Sequence, residues 1–521
     1  MALIAVGVLL VLTPPPPPSV DYGGYLPHYQ GPGTTTPGGR GGPICIVATL
    51  ADDRGDTFVE GMGTLRQCTG RRPGCDDTPA RCARFALVAV SGTVDLLNGG
   101  RTLYITDPFL TLACQTAPTG REGTGDTGVG GFTIKGAIVL ATHDAVVQHC
   151  RVRLLKAWGE AMTINIGDPI TEGWKGHDVV LDHISTSWGT ISGNVSMNFG
   201  ATNVTVLDSL IAEPIRRYPN DGQYGYGSMF YSSDDCRFTL ARSYLAHQQV
   251  RNPLTGSGCH GAILDNLIYD AGDNYWASQG DAMAGNAISL QGLGQSYAKT
   301  GFEIVVAGNT VVNGPVTSTT VNKVVGVALD EGYVKLAHKV YLQDNTGPGL
   351  TADAQDAGVQ YFGLATNKVI CDRACFDSGF GWFKKVNYAR LPPESVPESV
   401  LAHAGAFVTD RDAVDLRLVA DYRAKTGDAQ LDSEADVGGF PPIAARQRAI
   451  PLPANPSAIH TATDFGRGFR TELEYFLAKD PAFGAERLTP ADARSVAAPA
   501  GTLALASALL AVGLRVRKRR D

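Results

Sequence analysis

The chain has 521 residues, enough for one large core plus appendages, and its 62 glycines and 30 prolines suit short strands joined by turns. That composition excludes a helical bundle or a long coiled coil. A net charge of −7 with 18% charged residues leaves no basic footprint, so nucleic acid is not an expected partner. A polyanionic substrate would need a local cluster of Arg, Lys or metal to override the global sign.

Residues 1–20 open with an apolar run, Met1 to Leu12, followed by the proline tract Pro14 to Pro18. The run reads as the hydrophobic part of a signal segment, without a basic start or a small-residue cleavage site. Ten cysteines follow, none in paired CxxC sets, which excludes a zinc ribbon or finger. In an exported protein they would pair as disulfides, with Cys68, Cys75 and Cys82 clipping one long loop; the connectivity stays open.

Between Cys45 and about Asn387 one short pattern keeps returning: an apolar alternation, a polar residue or Asn, then a second apolar run. Examples are DVVLDHISTSW from Asp178, NVTVLDSLIAE from Asn203, CRFTLARSYLAH from Cys236, CHGAILDNLIYD from Cys259, FEIVVAGNTVVNG from Phe302 and KVYLQDNTG from Lys339. The units recur every roughly 23 to 43 residues, the spacing of solenoid coils with variable insertions. Each is too short to bury its own apolar face, so stacking must supply the core. Asn266, Asn309 and Asn345 stand at the sharp turn between runs, where Asn tolerates a left-handed backbone and can pair along a ladder. Gly123 to Gly131 has glycines at nucleotide-loop spacing but no helix pattern after it, and reads as a loop.

In order and spacing, these segments resemble bacterial pectate lyases. The resemblance is carried by TTTPGGRGG at Thr34, PFLTLACQTAPTG at Pro108 (Cys114 replacing the family's glycine), DVVLDHISTSWG at Asp178 and NVTVLDSLIAEPI at Asn203. It continues through LAHQQVRNPLTG at Leu245, LDNLIYDAG at Leu264 and VLAHAGAFVTDRDAVDLRLVADYRAKTG at Val400. It spans about Thr34 to Gly439. What it implies is an all-β chain: a single-stranded right-handed parallel β-helix over residues 34–390, with a partly helical C-terminal extension.

The resemblance also implies cleavage of pectate or polygalacturonate by β-elimination. The proton on carbon 5 of a uronate is weakly acidic, so a cation on the carboxylate must stabilise the enolate-like transition state. Calcium suits that role, and in this family the base is an arginine. An arginine base is unusual, because its ordinary pKa exceeds about 12 and surrounding positive charge must push it down.

By position in its Arg-Asn-Pro segment, Arg251 is the candidate base. Arg216 and its neighbour Arg217 fall where the family binds substrate with Lys or Arg, and His183 of the Asp182-His183 pair is a groove candidate, with Asp182 bonding inside the stack. The sequence departs from the family after SWGT, where Ile191, Ser192 and Gly193 stand in place of an Asp-Glu pair that helps hold calcium. Leu254 replaces a second arginine, and Tyr224, Gly225, Tyr226 and Gly227 replace a His-Gly-x-Gly segment. Asp168, Asp178 and Glu213 are the candidates for a rebuilt cation site, with Asp221 and the Asp234–Asp235 pair behind them.

Residues 391–492 change character and are expected to pack on or cap the β-helix. Asp410 to Arg423 has helical spacing, with Val414, Leu416, Val419 and Ala420 on one face. Thr471 to Ala478 reads as a second short helix, and Pro441 to Pro456 as a strap along the solenoid. Residues 497–521 are an apolar tail, Ala497 to Leu514, ending in a basic cluster from Arg515; they resemble a bacterial sorting tail and imply a secreted or cell-surface protein, anchored or processed there.

Taken together, the sequence points to a monomeric lyase of acidic polysaccharide. Its rivals are a non-catalytic polysaccharide-binding or structural β-helix that has lost the calcium site, and a lyase or hydrolase of another polysaccharide.

Overall fold

The computed structural model describes residues 30–450, apart from 54, 98–99, 121–127, 157–161, 168–175, 191–192, 199, 217–224, 233–234, 273–285, 293–298, 318–322, 351–353, 387, 389 and 429. The apolar segment 1–20, the tail 497–521 and the helix expected at 471–478 lie outside these residues. Among the described residues, no helix is long and apolar enough to cross a membrane.

The strands form three sheets of 11, 9 and 9 strands among the described residues, parallel except for one edge strand of the second, and from Arg84 onward successive strands visit the sheets in turn over most of the chain. One coil runs from His177–Asp182 in the first sheet, through Ser185–Ser187 in the second, to Gly193–Met197 in the third. The next coil stacks on it through Thr202–Leu207, Leu210–Ala212 and Ser228–Phe230. The chain is a parallel β-helix, as its repeats imply.

Alternation within each strand selects what points inward. Leu112, Val147, Leu181, Val206, Leu240, Ile263, Val306 and Leu342 stand in register, one per coil, along the inner face of the first sheet. Burying each such side chain is worth roughly 1.5–3 kcal/mol, so the column rather than any one coil holds the fold. Gly261 has no side chain because the Phe238 ring of the coil before fills that place.

From His149 onward, the corner between the first and second sheets takes two residues per coil. The left-handed residue is the first of the two: His149, His183, Asp208, Arg242, Asp265, Gly308 and Asp344 all have positive φ. The second supplies the ladder. The Asn309 amide donates to Asn345 Oδ1 at 3.0 Å, and Asn266 to Asn309 Oδ1 at 2.9 Å. Ser243 and Ser209 carry the ladder onward with backbone-to-side-chain bonds. The Asn ladder is therefore as expected, but the left-handed strain falls one residue earlier.

All ten cysteines pair: Cys45–Cys68, Cys75–Cys82, Cys114–Cys150, Cys236–Cys259 and Cys371–Cys375. Cys236 and Cys259 are register partners on neighbouring coils, so that bridge staples one coil to the next. Cys75–Cys82 clips the early loop as expected, whereas Cys68 reaches back to Cys45.

Two segments cover the outside. The glycine-rich stretch around Gly31 to Gly39 lies flat on the first sheet, where the Gly39 amide donates to Thr111 Oγ1 at 2.9 Å. A side chain at Gly33 would run into the backbone of Asn203 and Val179. The C-terminal extension covers the second sheet through the helix Ala413–Ala424, and Arg446–Gln447 pairs antiparallel with Val90 and Ser91 at that sheet's edge. The helix buries Val414, Asp415, Leu418, Val419 and Asp421, while Leu416 is 54% exposed. The expected face with Leu416 and Ala420 is thus rotated. The second sheet presents Arg151, Arg153 and Ser185, and the helix turns its carboxylates toward them.

Candidate active site

The long connections from the second sheet to the third carry most of the chemistry-bearing residues. They lie on successive coils and are tied together by backbone bonds: Gly225 donates to the Ile215 carbonyl, and Gln249 to the Gly225 carbonyl at 3.0 Å. Arg216 follows Ile215, and Arg251 lies two residues past Gln249. The two arginines therefore sit on consecutive coils of one flank.

Arg251 has positive φ and precedes the cis Asn252–Pro253 bond. Its guanidinium lies over the Tyr226 ring, 3.8 Å from the centroid, with Nη1 3.6 Å from Met229 Sδ on the third sheet. The π face favours a charged guanidinium. A side chain at Gly227 would collide with Gln248 and the Arg251 carbonyl, so glycine at that place allows the two loops to close on each other.

Arg216 is held by the extension. Its Nε and Nη2 donate to Asp432 Oδ1 at 3.1 and 3.0 Å, and Nη1 donates to Gln430 at 2.8 Å. Glu213, expected as a metal ligand, is fully buried, and both its oxygens accept from Arg417 at 2.6 and 2.8 Å. Trp188 Nε1 also donates to it, at 3.4 Å. This carboxylate anchors the helix and does not face an open groove.

Asp178 stands elsewhere, at the start of a first-sheet strand, where His177 donates to it at 2.6 Å and Asn203 at 3.1 Å. His183 is at the corner between first and second sheets, bonded to Asp182 at 2.7 Å, and is not on the flank of Arg251. The bond from Asp182 within the stack is as expected. Gly193 has φ +104°, and any side chain there would meet the Gly227 and Tyr226 carbonyls, so this backbone cannot carry a carboxylate at that place. Asp168, Arg217, Ser192, Asp221 and Asp234 lie outside the described residues. Among the described residues, Asp178 and Glu213 do not converge, and the set does not fit calcium.

The flank also holds a group not singled out from sequence. His247 is buried between Asp270, 2.9 Å away, and Asp421 of the helix, 3.7 Å away. Burial pulls its pKa down, but the hydrogen bond to Asp270 and the nearby carboxylates of Asp421 and Glu213 outweigh that and raise it to about 9. The signal was present in LAHQQVRNP, where a histidine stands four residues before the candidate base, but its acidic partners come from distant segments. Below it lies a buried cluster: Arg153 pairs with Asp412 and Asp415, and Arg151 reaches Asp412 and the Asp410 carbonyl. Arg153 and Arg151 hold the Asp412 carboxyl below the usual range against the effect of burial.

Comparisons with known proteins bear on this arrangement. The chain is 26% identical over 416 residues to "Probable pectate lyase C" of Emericella nidulans, covering 80% of this chain and 79% of that protein. This chain is a relative of a fungal protein named as a pectate lyase. No protein-family model matches it. Among solved structures, it is similar to the cedar-pollen allergen jun a 1, with 13% identity, a TM-score of 0.45, and coverage of 73% of this chain and 92% of that one. A Bacillus subtilis pectate lyase mutant gives 11% identity, a TM-score of 0.43, and coverage of 73% and 98%.

Proposed function

We propose that this protein cleaves a pectate-like polyuronate by β-elimination, with Arg251 as the base. The base takes the carbon-5 proton, the electron pair forms the double bond between carbons 4 and 5, and the bond from carbon 4 to the glycosidic oxygen breaks. The leaving oxygen then takes a proton from solvent. The observation that carries this reading is the placement of Arg251 and Arg216 on consecutive loops of one flank, in a chain related over most of its length to a pectate lyase. Arg216 acts as a carboxylate clamp when a uronate takes the place of Asp432. Arg217, next to it, is the second candidate for holding substrate.

A base must lose its proton, and the Tyr226 ring opposes that. Substrate binding that draws Arg251 off the ring and into a dry, cationic surrounding would remove the opposition. No step is assigned to calcium, because the described carboxylates do not converge.

The same stack favours a second reading, a polyuronate-binding β-helix without turnover, in which Arg251 stays charged and grips a carboxylate. Incubation with polygalacturonate, with and without calcium and chelator, separates the two. Ultraviolet absorbance from a conjugated unsaturated uronate supports elimination. Binding with no such product at any calcium level leaves the second reading, and neither binding nor product overturns both. Secretion and retention at the cell surface belong to this reading, and the tail 497–521 is its candidate anchor.

A further inference from the structure

The loops that carry Arg216 and Arg251 are rooted in a column of buried residues. Each second-sheet strand from Ser185–Ser187 to Leu267–Tyr269 is followed by a left-handed residue, and these stand in a column on successive coils: Trp188, Glu213, His247 and Asp270. Glu213 opens the loop of Arg216, three residues on, and His247 opens the loop of Arg251, four residues on.

The helix Ala413–Ala424 runs along this column. Its turns advance about 5.4 Å and the coils about 4.8 Å, so residues one turn apart meet consecutive coils. Arg417 donates to both oxygens of Glu213, at 2.6 and 2.8 Å, and to Asp421 Oδ2, one turn on, at 3.2 Å. Asp421 Oδ2 lies 3.7 Å from His247 Nε2, and His247 Nδ1 lies 2.9 Å from Asp270 Oδ2. The other oxygen of Asp270 accepts from the Val316 and Thr317 amides at 3.0 and 2.8 Å. With His247 protonated, Glu213, Arg417, Asp421, His247 and Asp270 form a chain of alternating sign across the roots of three loops. Gly427 has φ +107° and sits where any side chain would strike the His247 ring, so the extension closes over it.

With Arg251 as base and Arg216 as clamp, as proposed above, we infer that this ionic chain positions both: Arg417 and His247 are positioning residues that hold the two loops one coil apart, so that clamp and base meet one polymer. Among the described residues, the charged and titratable groups around His247 are Asp270, Asp421, Glu213, Arg417, Lys425 and the Tyr244, Tyr269 and Tyr422 rings. Burial disfavours the imidazolium, but three carboxylates against two cations hold the His247 pKa at about 9. Above that pH, Asp421 and Asp270 face each other across an uncharged ring, and the chain is cut between the two loops.

The test compares kcat/KM of the full-length wild type and His247→Gln on polygalacturonate from pH 6 to 10, at a temperature where melting curves show both folded. At pH 7 the variant should be about ten-fold slower or more. The ratio should shrink toward one as pH passes through 9, because wild type then loses the same charge; titration of Arg251 is common to both and cancels. In Asp421→Asn the alkaline loss should come at lower pH, since one of the carboxylates that hold the charge is gone. That shift is the readout should His247→Gln not fold. A folded His247→Gln as active as wild type, a ratio constant to pH 10, or an unshifted Asp421→Asn profile overturns the positioning role. If wild type binds polygalacturonate without turnover, the base reading fails separately and the same ratio is read from Kd; equal Kd values at pH 7 then overturn the ionic chain.

Discussion

The β-helix turns its corners in two different ways. Between the first and second sheets each coil from His149 to Asn345 turns in two residues, and from Ser209 onward an uncharged ladder of Ser and Asn holds the turn. Between the second and third sheets the connections differ from coil to coil, from the single residue Gly136 to the stretch between Ala212 and Ser228, and that flank is tied by buried charge: Arg153 on Asp412, Arg417 on Glu213, His247 on Asp270. A ladder repeats because every coil poses the same hydrogen-bonding problem. Loops free of that constraint can each place a different side chain, and Arg216 and Arg251 are where two of them do so.

The largest effect should come from breaking the charged flank at its root. Asp412→Ala leaves Arg153 and Arg151 buried without their main partner and removes the side-chain cap of the helix Ala413–Ala424. It should cost about 3–5 kcal/mol, read as a fall in thermal midpoint, while a paired Arg153→Met, Asp412→Leu variant should recover much of it. Equal losses in both would mean that the cluster holds the extension by shape and not by charge.

The next effect is pH-dependent and belongs to the same flank. The His247 pKa rises from 6.5 to about 9 on folding, so its contribution is fully present below 6.5 and is lost as pH climbs through 9. That contribution is on the order of 3 kcal/mol. Unfolding followed from pH 6 to 10 should show this loss in wild type and not in His247→Gln. A flat wild-type profile would remove His247 as a charged latch.

On the ladder flank Asn309→Ala should cost about 1–3 kcal/mol, because it leaves the buried Asn266 backbone N–H without its acceptor and removes the side-chain bond to Asn345, and it should be insensitive to salt. Smallest is Asp432→Ala. The Arg216–Asp432 pair is partly exposed, so stability should hardly change, while KM for polyuronate should fall by up to about fivefold if Asp432 competes with substrate. A rise in KM would mean that Asp432 positions Arg216 instead.

Legibility in the sequence divides along the same line. Asn266, Asn309 and Asn345 could be read as a ladder because a local pattern recurs in each coil. That the left-handed residue is Asp265, Gly308 or Asp344 could not, since alternation shows where a strand ends only to within a residue. Glu213 read as an open carboxylate because Arg417, its partner, lies some two hundred residues onward. Leu416 read as core because helical spacing alone does not say that the opposing sheet presents arginines.

The central claim is that Arg251 takes the proton, and the most direct measurement is the rate of unsaturated product from polygalacturonate for wild type and Arg251→Ala, alongside their melting curves. A loss of about 10²–10⁴-fold in rate with an unchanged thermal midpoint is the predicted result. Turnover retained by a folded Arg251→Ala protein would contradict it.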